Sequence, residues 1–438
     1  MSFFSHGVHV PHRKNTADRS AIRLNEIKTV TIPMSMHIGA PATPTVKVGD
    51  PVWVGSLIGE GAGMVSAPIH SSVSGKVLKI TDLLISAGNT VPAIVIESDG
   101  QMTPCQSLQP PTVNTREELV EAIRASGVVG LGGAGFPTHV KFRVDPERIE
   151  ELIINGAECE PYITSDSLTM ETRADDMEYA LRALQKHFSI RRVIIGIEGN
   201  KKKAIASMRA MAAKMEGVEV AVLPQIYPQG GEKVLIHQTT KKIIPTGKLP
   251  IDVGCIVCNC TTVAAIGTYL KTGMPLVEKC VTVDGGSVKQ PQNLIVPIGA
   301  SLEDVFAFCG GFTVPPKKVL YGGPMMGVTV PNLNVPILKN TNAVIALTPK
   351  EAWLPKTTAC IRCGACTNTC PFGLAPAEIL LAYQKKDTAA LRKLSVDTCM
   401  LCGCCSFTCP ANRPLVQTNS LSKQLLREEK AKEASKNG

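Results

Sequence analysis

Eight cysteines near the end of the chain constrain it more tightly than any other feature. Cys360, Cys363, Cys366 and Cys370 form CxxCxxCxxxCP with Pro371, and Cys399, Cys402, Cys405 and Cys409 repeat the same spacing with Pro410. Gaps of two residues let three thiolates wrap one cuboidal iron–sulfur cluster, while the fourth cysteine, set off by three residues and a proline, reaches across to a second cluster. The expected ligand sets are therefore crossed. One [4Fe–4S] cluster takes Cys360, Cys363, Cys366 and Cys409, and the other takes Cys399, Cys402, Cys405 and Cys370. Cys404 falls outside the spacing. Structural zinc is the rival reading, but it usually takes paired CxxC units further apart, often with His, and no His follows His237.

The remaining cysteine usage agrees with metal ligation. Of 16 cysteines, nine lie between Cys360 and Cys409. In a reduced cytosol such clustering means ligands rather than disulfides. No run reaches the roughly 18 to 20 uncharged apolar residues of a spanning helix. The opening MSFFSHGVHVPHRKN lacks the basic segment, apolar core and small-residue cleavage site of a secretory signal, so a cytoplasmic location is expected. The net charge is +9, with no block of five or six like charges, and this argues against a nucleic-acid partner. Locally the balance is more telling. From Lys356 to Arg427 nine Lys or Arg stand against three Asp or Glu, which suits the docking of an acidic partner near the cysteines.

A chain of 438 residues exceeds what one core normally fills, so an α/β multidomain protein is expected. With 37 Gly and 31 Pro against only 4% aromatic residues, it reads as turn-rich and globular. Residues 28–100 carry short β-branched runs (KTVTIPM, PTVKV, SGKVLKI, PAIVIES) parted by Gly, Pro and Asp. Within them, KVGDPVWVGSLIGEGAGMVSAPIHSSVSGKVLKI resembles a lipoyl-type barrel-sandwich. The hairpin tip that would bear a modified lysine falls near His70 with no lysine beside it, so no lipoyl or biotinyl group is expected. A Pro- and Thr-rich linker then leads to REELVEAIRASGVVG, an amphipathic helix with Thr115 as N-cap. From there helical stretches alternate with buried-strand patterns, as an α/β layer requires. The expected units are 1–110 (barrel-sandwich), 111–265 (α/β flavin and nucleotide domain), 266–345 (a small SLBB-like β-grasp domain) and 346–438 (a helical, bacterial-ferredoxin-like cluster domain), ending in a frayed charged tail.

GVVGLGGAGFPTHVKF offers five glycines in the nine residues from Gly127 to Gly135, letting backbone amides approach a ligand closely. It is neither a Rossmann GxGxxG nor a Walker A loop. It resembles the FMN- and NADH-binding loop of the flavin-bearing subunit of respiratory complex I, where GxxGxGGAGFPTxxK precedes an Asn/acid cluster, here INGAECEPYITSD. The resemblance implies that Gly130, Gly132, Gly133 and Gly135 shape the flavin loop and that Phe136 and Lys141 meet FMN or the nucleotide. It also implies that Asn155 and Glu158 face the flavin and that Glu160 lies near the nicotinamide. Ala157 stands where that subunit has an acid. YPQGGEKVL (Gly230, Gly231, Glu232) and VCNCTT (Asn259, Thr262) are similar to its nucleotide and flavin segments. Glu198, ending a strand, is a further candidate for the nucleotide, whereas Cys255, Cys258 and Cys260 read as packing.

Taken in order, barrel-sandwich, complex-I-like flavin domain, β-grasp and twin cysteine motifs resemble the RnfC family of the Rnf complex over nearly the whole chain. That resemblance implies a peripheral subunit on the cytoplasmic face of the membrane, carrying FMN and two [4Fe–4S] clusters and exchanging electrons with NAD(H). Its partners would be other Rnf subunits, integral membrane ones among them, and a ferredoxin-like carrier, in an assembly that couples ferredoxin oxidation to Na+ or H+ export. Cobalamin reductases of the propanediol-utilisation type share the loop and clusters, but in them the glycine loop lies near the N-terminus. A scaffold that only relays electrons past a vestigial flavin site is the non-enzymatic alternative.

Overall fold

The computed structural model describes residues 6–84, 88 and 90–437. Between Thr29 and Ser98 lie two small antiparallel sheets. One runs in the order Thr29–Pro33, Thr90–Ser98, Gly75–Leu84, Pro51–Val52, and the other in the order Thr43–Pro44, Leu57–Glu60, Ile69–His70. β-Branched residues alternate along the strands, so Val30, Ile32, Ile58, Ile69, Val77, Ile94 and Ile96 turn into one shared core. At Gly75 a Cβ would lie 1.8 Å from the Glu97 carbonyl oxygen, so only glycine lets those strands close. The expected hairpin tip at His70 is instead a buried strand end, 9% exposed.

The chain ahead of these sheets does not stay with them. Ile22–Arg23 pairs in parallel with Leu294 and Ile295 of a six-stranded sheet further along the chain. That sheet continues through Glu278–Asp284, Ala343–Leu347, Lys318–Tyr321 and Val328–Thr329, with the helix Leu302–Phe308 beside it.

The α/β layer opens on a capped helix. Thr115 and Glu118 exchange side-chain-to-backbone hydrogen bonds, each 3.1 Å, at the head of the helix Arg116–Ala125. Such a capping box is worth about 1 kcal/mol. Four parallel strands follow, in the order Val218–Leu223, Arg192–Glu198, Glu151–Gly156, Cys255–Asn259. The inner three are buried on both faces, and the edge strand Val218–Leu223 is buried at Leu223. Leu152, Ile154, Ile195 and Ile256 join the main core with Met177 and Leu181, while Ile153 and Val257 meet Leu235 and Ile236 on the opposite face. Beyond residue 348 the chain is helical around the cysteines, and the charged tail, expected to fray, continues the helix Leu415–Asn437.

Three of these units meet at one lysine. Lys339 is fully buried and donates to the carbonyl oxygens of Pro68 at 2.6 Å and Gly127 at 2.7 Å. It thereby ties the stretch after the six-stranded sheet's hairpin to the barrel-sandwich and to the start of the glycine-rich loop. Burial pushes its ammonium down from 10.5 to about 7. Between those values the unfolded chain holds a proton that the folded chain has released, so stability rises with pH across that window. The slope from this one site is at most about 1.4 kcal/mol per pH unit. Denaturant titrations from pH 7 to pH 10 should show that rise in the native chain and a flatter one in Lys339→Met; equal slopes would show that Lys339 is not the residue responsible.

Candidate functional site

The carboxyl ends of the four parallel strands gather the chemistry. From Glu151–Gly156 the chain steps outward to Arg192–Glu198 and Val218–Leu223, then returns to the other flank with Cys255–Asn259. Ligands of open α/β sheets bind outside the carboxyl ends of strands at such a reversal. Here the reversal lies between the first and last strands, where Asn155 and Asn259 are register partners.

The glycine-rich loop leans over this crevice. The Gly130 amide donates to the Phe136 carbonyl at 2.8 Å and Val129 bridges Pro137, which closes the loop at its base. Its tip, Gly132 to Ala134, is exposed, and Phe136 is half-buried. A Cβ on Gly132 would lie 2.5 Å from Asn259 Nδ2, whereas one on Gly133 would meet nothing within 4 Å. Gly135 takes the left-handed conformation, φ +68°. Asn340 Nδ2 donates to the Gly133 carbonyl at 2.9 Å. Thr262 Oγ1 accepts from the Leu131 amide at 3.0 Å and donates to the Val129 carbonyl at 3.2 Å. Asn259 caps the helix Cys260–Thr272 through its Oδ1 and donates from Nδ2 to Asp166 Oδ2 at 2.7 Å. Asn259 and Thr262 thus hold the loop from beneath.

Asn155 donates to the Gly230 carbonyl at 2.9 Å, which brings the YPQGGEK segment onto the same edge. Gly231 caps the helix Glu232–Thr240. Lys141 Nζ donates to the Val257 carbonyl at 2.7 Å and stands 3.8 Å from Glu232. The two acids of the ECE triplet face inward rather than into the crevice. Both oxygens of Glu158 are engaged, by the Asp166 amide (2.8 Å), the Ser167 hydroxyl (2.8 Å) and Lys201 Nζ (3.1 Å). Glu160 accepts from the amides of Met325 at 3.0 Å and Met326 at 2.8 Å, which staples the α/β layer to the six-stranded sheet's hairpin. Burial pushes its carboxyl up to about 7 against the pull of those amides.

Nothing in sequence spacing pointed to Lys14, yet it organises this corner. Its Nζ donates to the carbonyls of Glu158 (3.0 Å), Glu160 (2.7 Å) and Ile163. Burial pulls its ammonium down to about 8, while Glu158 pulls the other way. Lys201 and Glu198 complete a buried group of two cations and two acids. Within it Glu198 Oε2, like Gln229 Nε2 nearby in sequence to Tyr227, has no hydrogen-bond partner. An open glycine tip, backbone amides over a strand crevice and unsatisfied buried polar atoms fit a flavin with its phosphate.

The two cysteine motifs repeat one backbone. Arg362 and Leu401, Gly364 and Gly403, and Gly373 and Asn412 all take positive φ at equivalent places. Outside glycine that conformation costs about 1 kcal/mol or more, so its repetition marks a loop shape that both motifs need. Cys370 shares one apolar cluster with Cys399, Leu374 and Ile379. Cys366 and Cys409 pack with Cys405 against Leu380 and Leu415. Among the described residues no three His, Cys, Asp or Glu side chains close on a single ion. The fit to iron therefore rests on the all-thiol donor set and its repeated spacing.

The second group touches the flavin side. Tyr227 Oη donates to the Cys402 carbonyl at 2.7 Å, and a Cβ on Gly231 would lie 2.3 Å from Met400 Cε. Val8 exchanges backbone hydrogen bonds of 2.9 and 3.0 Å with Tyr227, and both side chains pack with Cys402 and Cys404 against Val10, Cys159, Met325 and Met400.

Comparison with known proteins agrees with this architecture. The chain matches the RnfC barrel sandwich hybrid domain over residues 2–101, the Nuo51 FMN-binding domain over 123–268, the SLBB domain over 280–329 and the 4Fe-4S dicluster domain over 356–413. It is 40% identical over 383 residues to the C component of the Na+-translocating ferredoxin:NAD+ oxidoreductase complex of Acetobacterium woodii, covering 86% of each chain. It is also 40% identical to the C component of the proton-translocating ferredoxin:NAD+ oxidoreductase complex of Clostridium ljungdahlii, covering 88% of this chain and 85% of that one. Against the C component of the ion-translocating oxidoreductase complex of Rhodobacter capsulatus it is 38% identical over 97% of this chain and 83% of the relative. With the glycine-loop crevice, the twin cysteine motifs and this similarity along most of its length, the chain belongs to the RnfC family.

Proposed function

We propose that this chain is the subunit at which an ion-translocating ferredoxin:NAD+ oxidoreductase complex exchanges electrons with NAD(H). It is an electron-transfer subunit with FMN and [4Fe–4S] clusters as cofactors. When bound, FMN converts the two-electron traffic of nicotinamide into the single-electron traffic that iron–sulfur clusters carry. The observation that carries the reading is the contact between Tyr227 and Gly231, on the flavin edge, and Cys402 and Met400, in the second cysteine loop. It leaves no layer of protein or solvent between the two cofactor-binding segments.

The chain's own residues supply position. Gly132 and Gly133 at the exposed tip offer backbone amides to the flavin phosphate, Gly130 and Gly135 shape the loop, and Asn259, Thr262 and Asn340 fix it. Lys141 and Glu232 border the crevice with Asn155, Gly231 and Phe136. Glu158 and Glu160 act by shaping the turn around residues 158–163, since their oxygens are spent on protein donors. No helix among the described residues is long and apolar enough to cross a membrane. In this reading other subunits make the membrane part, and this chain sits against the cytoplasmic face, with electrons passing between it and a ferredoxin-like carrier.

Anaerobic purification with iron, sulfide and acid-extracted flavin assays should give about eight irons and one FMN per chain, and NADH should bleach the visible spectrum. Zinc in place of iron, or iron without flavin, would overturn the reading. Replacing Cys370 by serine should perturb the paramagnetic signal of the group formed with Cys399, Cys402 and Cys405 and leave the other; loss of the opposite signal would refute the crossed ligation.

A further inference from the structure

The two cysteine loops share one backbone but are gripped differently. The second is walled in by Val8, Tyr227, Met325 and Met400, and its Cys402 and Cys405 are buried; in the first, Cys360 and Cys363 are exposed. Burial works against a cluster that must take up an electron, because it strips water from a group whose charge grows more negative on reduction. For the second motif's cluster to exchange electrons with a flavin, protein donors have to stand in for that water.

The helix Leu415–Asn437 carries them. Asn419 is 1% exposed, and its Nδ2 donates to the Cys399 sulfur at 3.4 Å. Among the described residues this is the only side-chain N–H given to the sulfur of any of the eight motif cysteines. One turn further along the same face, Lys423 Nζ donates to the Cys399 carbonyl at 2.7 Å and to the Asp397 carbonyl at 3.1 Å. Amide and ammonium thus clasp one ligand, the first at its sulfur and the second at its backbone. The buried hydroxyls beside them go elsewhere: Thr418 donates to the Pro414 carbonyl and Ser422 to that of Thr418. Packing alone does not account for the asparagine. Its Oδ1 is buried with no hydrogen-bond partner among the described residues, a cost that a leucine of similar volume would not carry. What the amide gains in return is its bond to the sulfur. At the matching place in the first motif stands Cys360, which is exposed and can be served by water.

We infer that Asn419 and Lys423 are positioning residues that raise the reduction potential of the cluster held by Cys399, Cys402 and Cys405, offsetting the effect of its burial. The inference rests on the electron-transfer reading above and adds to it which side chains of this chain set the energy of the second motif's cluster. One electron enters or leaves, and no bond is made or broken. An N–H dipole aimed at a ligand sulfur and a cation beside that ligand's backbone both favour the state with the added electron.

The test is a potentiometric titration of the full chain loaded with iron and flavin, followed by paramagnetic resonance, with iron and sulfide measured on the same samples. Asn419→Leu keeps the volume and removes the N–H; Lys423→Met keeps the stem and removes the charge. In each, one of the two one-electron cluster waves should move down, so that the oxidised-to-reduced ratio at a fixed potential rises about tenfold, which is about 59 mV. The other cluster wave, the flavin wave and the iron content should stay native, and Lys423→Arg should return the shifted wave close to its native position. Native waves in both variants would overturn the clasp, and so would equal shifts of both cluster waves, which would report a general loosening of the domain. If Asn419→Leu sheds iron, Lys423→Met decides: a lowered wave with full iron upholds the inference, and a native wave refutes it. Loss of iron from both would mark the pair as structural and overturn it. When NADH bleaches the native chain and the variant waves do not move, the clasp alone falls and the electron-transfer reading stands; a native chain carrying zinc in place of iron would overturn both.

Discussion

A single buried ammonium holds the glycine-rich loop in relation to everything else. Lys339 reaches Pro68 in the barrel-sandwich and Gly127 at the loop's base, and its neighbour Asn340 takes the Gly133 carbonyl near the loop's tip. Burying a lysine is costly unless its donors are met. Here the carbonyls that meet them belong to two other units, so the cost of burial is offset only when all three are assembled. The barrel-sandwich is thus a support for the flavin loop as well as a unit with its own core. His70, pressed against the same lysine, is kept neutral, its imidazole pushed down to about 3 by burial and by that charge.

Much of this was legible from residues alone, and the reasons are physical. Cysteine spacing encodes cluster geometry directly because the ligands of three-quarters of a cluster come from one short loop. Which cluster each fourth cysteine serves is a longer-range matter: Cys370 packs with Cys399, while Cys405 packs with Cys366 and Cys409. The N-cap at Thr115 and the buried parallel strands are local patterns and emerged as such. What could not be read was long-range. Lys14 lies about as far along the chain from Glu158 as a small domain is long, and no periodicity connects them. Glu158 and Glu160 were expected to face cofactors because a motif reports which residues recur at a site, not where their oxygens point. Hydrogen bonds to Ser167, Lys201, Met325 and Met326 decide that, and those partners come from other segments.

The asymmetry between the two cysteine groups has the same origin. The motifs share one backbone down to the positive-φ residues, so their different settings come from what packs on them. The second loop received a tyrosine hydroxyl from the α/β layer and a wall completed by Val8, Val10 and the hairpin's Met325. The first, beyond the packing of Cys366 on Leu380 and Leu415, is bordered by the exposed strap from Trp353 to Gly364. Solvent exposure and neighbouring dipoles move cluster potentials over a wide range, so two equivalent motifs can serve unequal ends of one path.

Val8 and Lys14 leave the ribosome before nearly all of the residues they bind. Val8 must wait for Tyr227, and its wall closes only with Cys402 and Cys404; Lys14 must wait for the carbonyls of Glu158, Glu160 and Ile163. Contacts of such sequence separation form late, because long loops must close before the contacts that reward closure exist. This segment is therefore among the last to settle, and until it does the second cysteine loop lacks the cover that Val8 gives it.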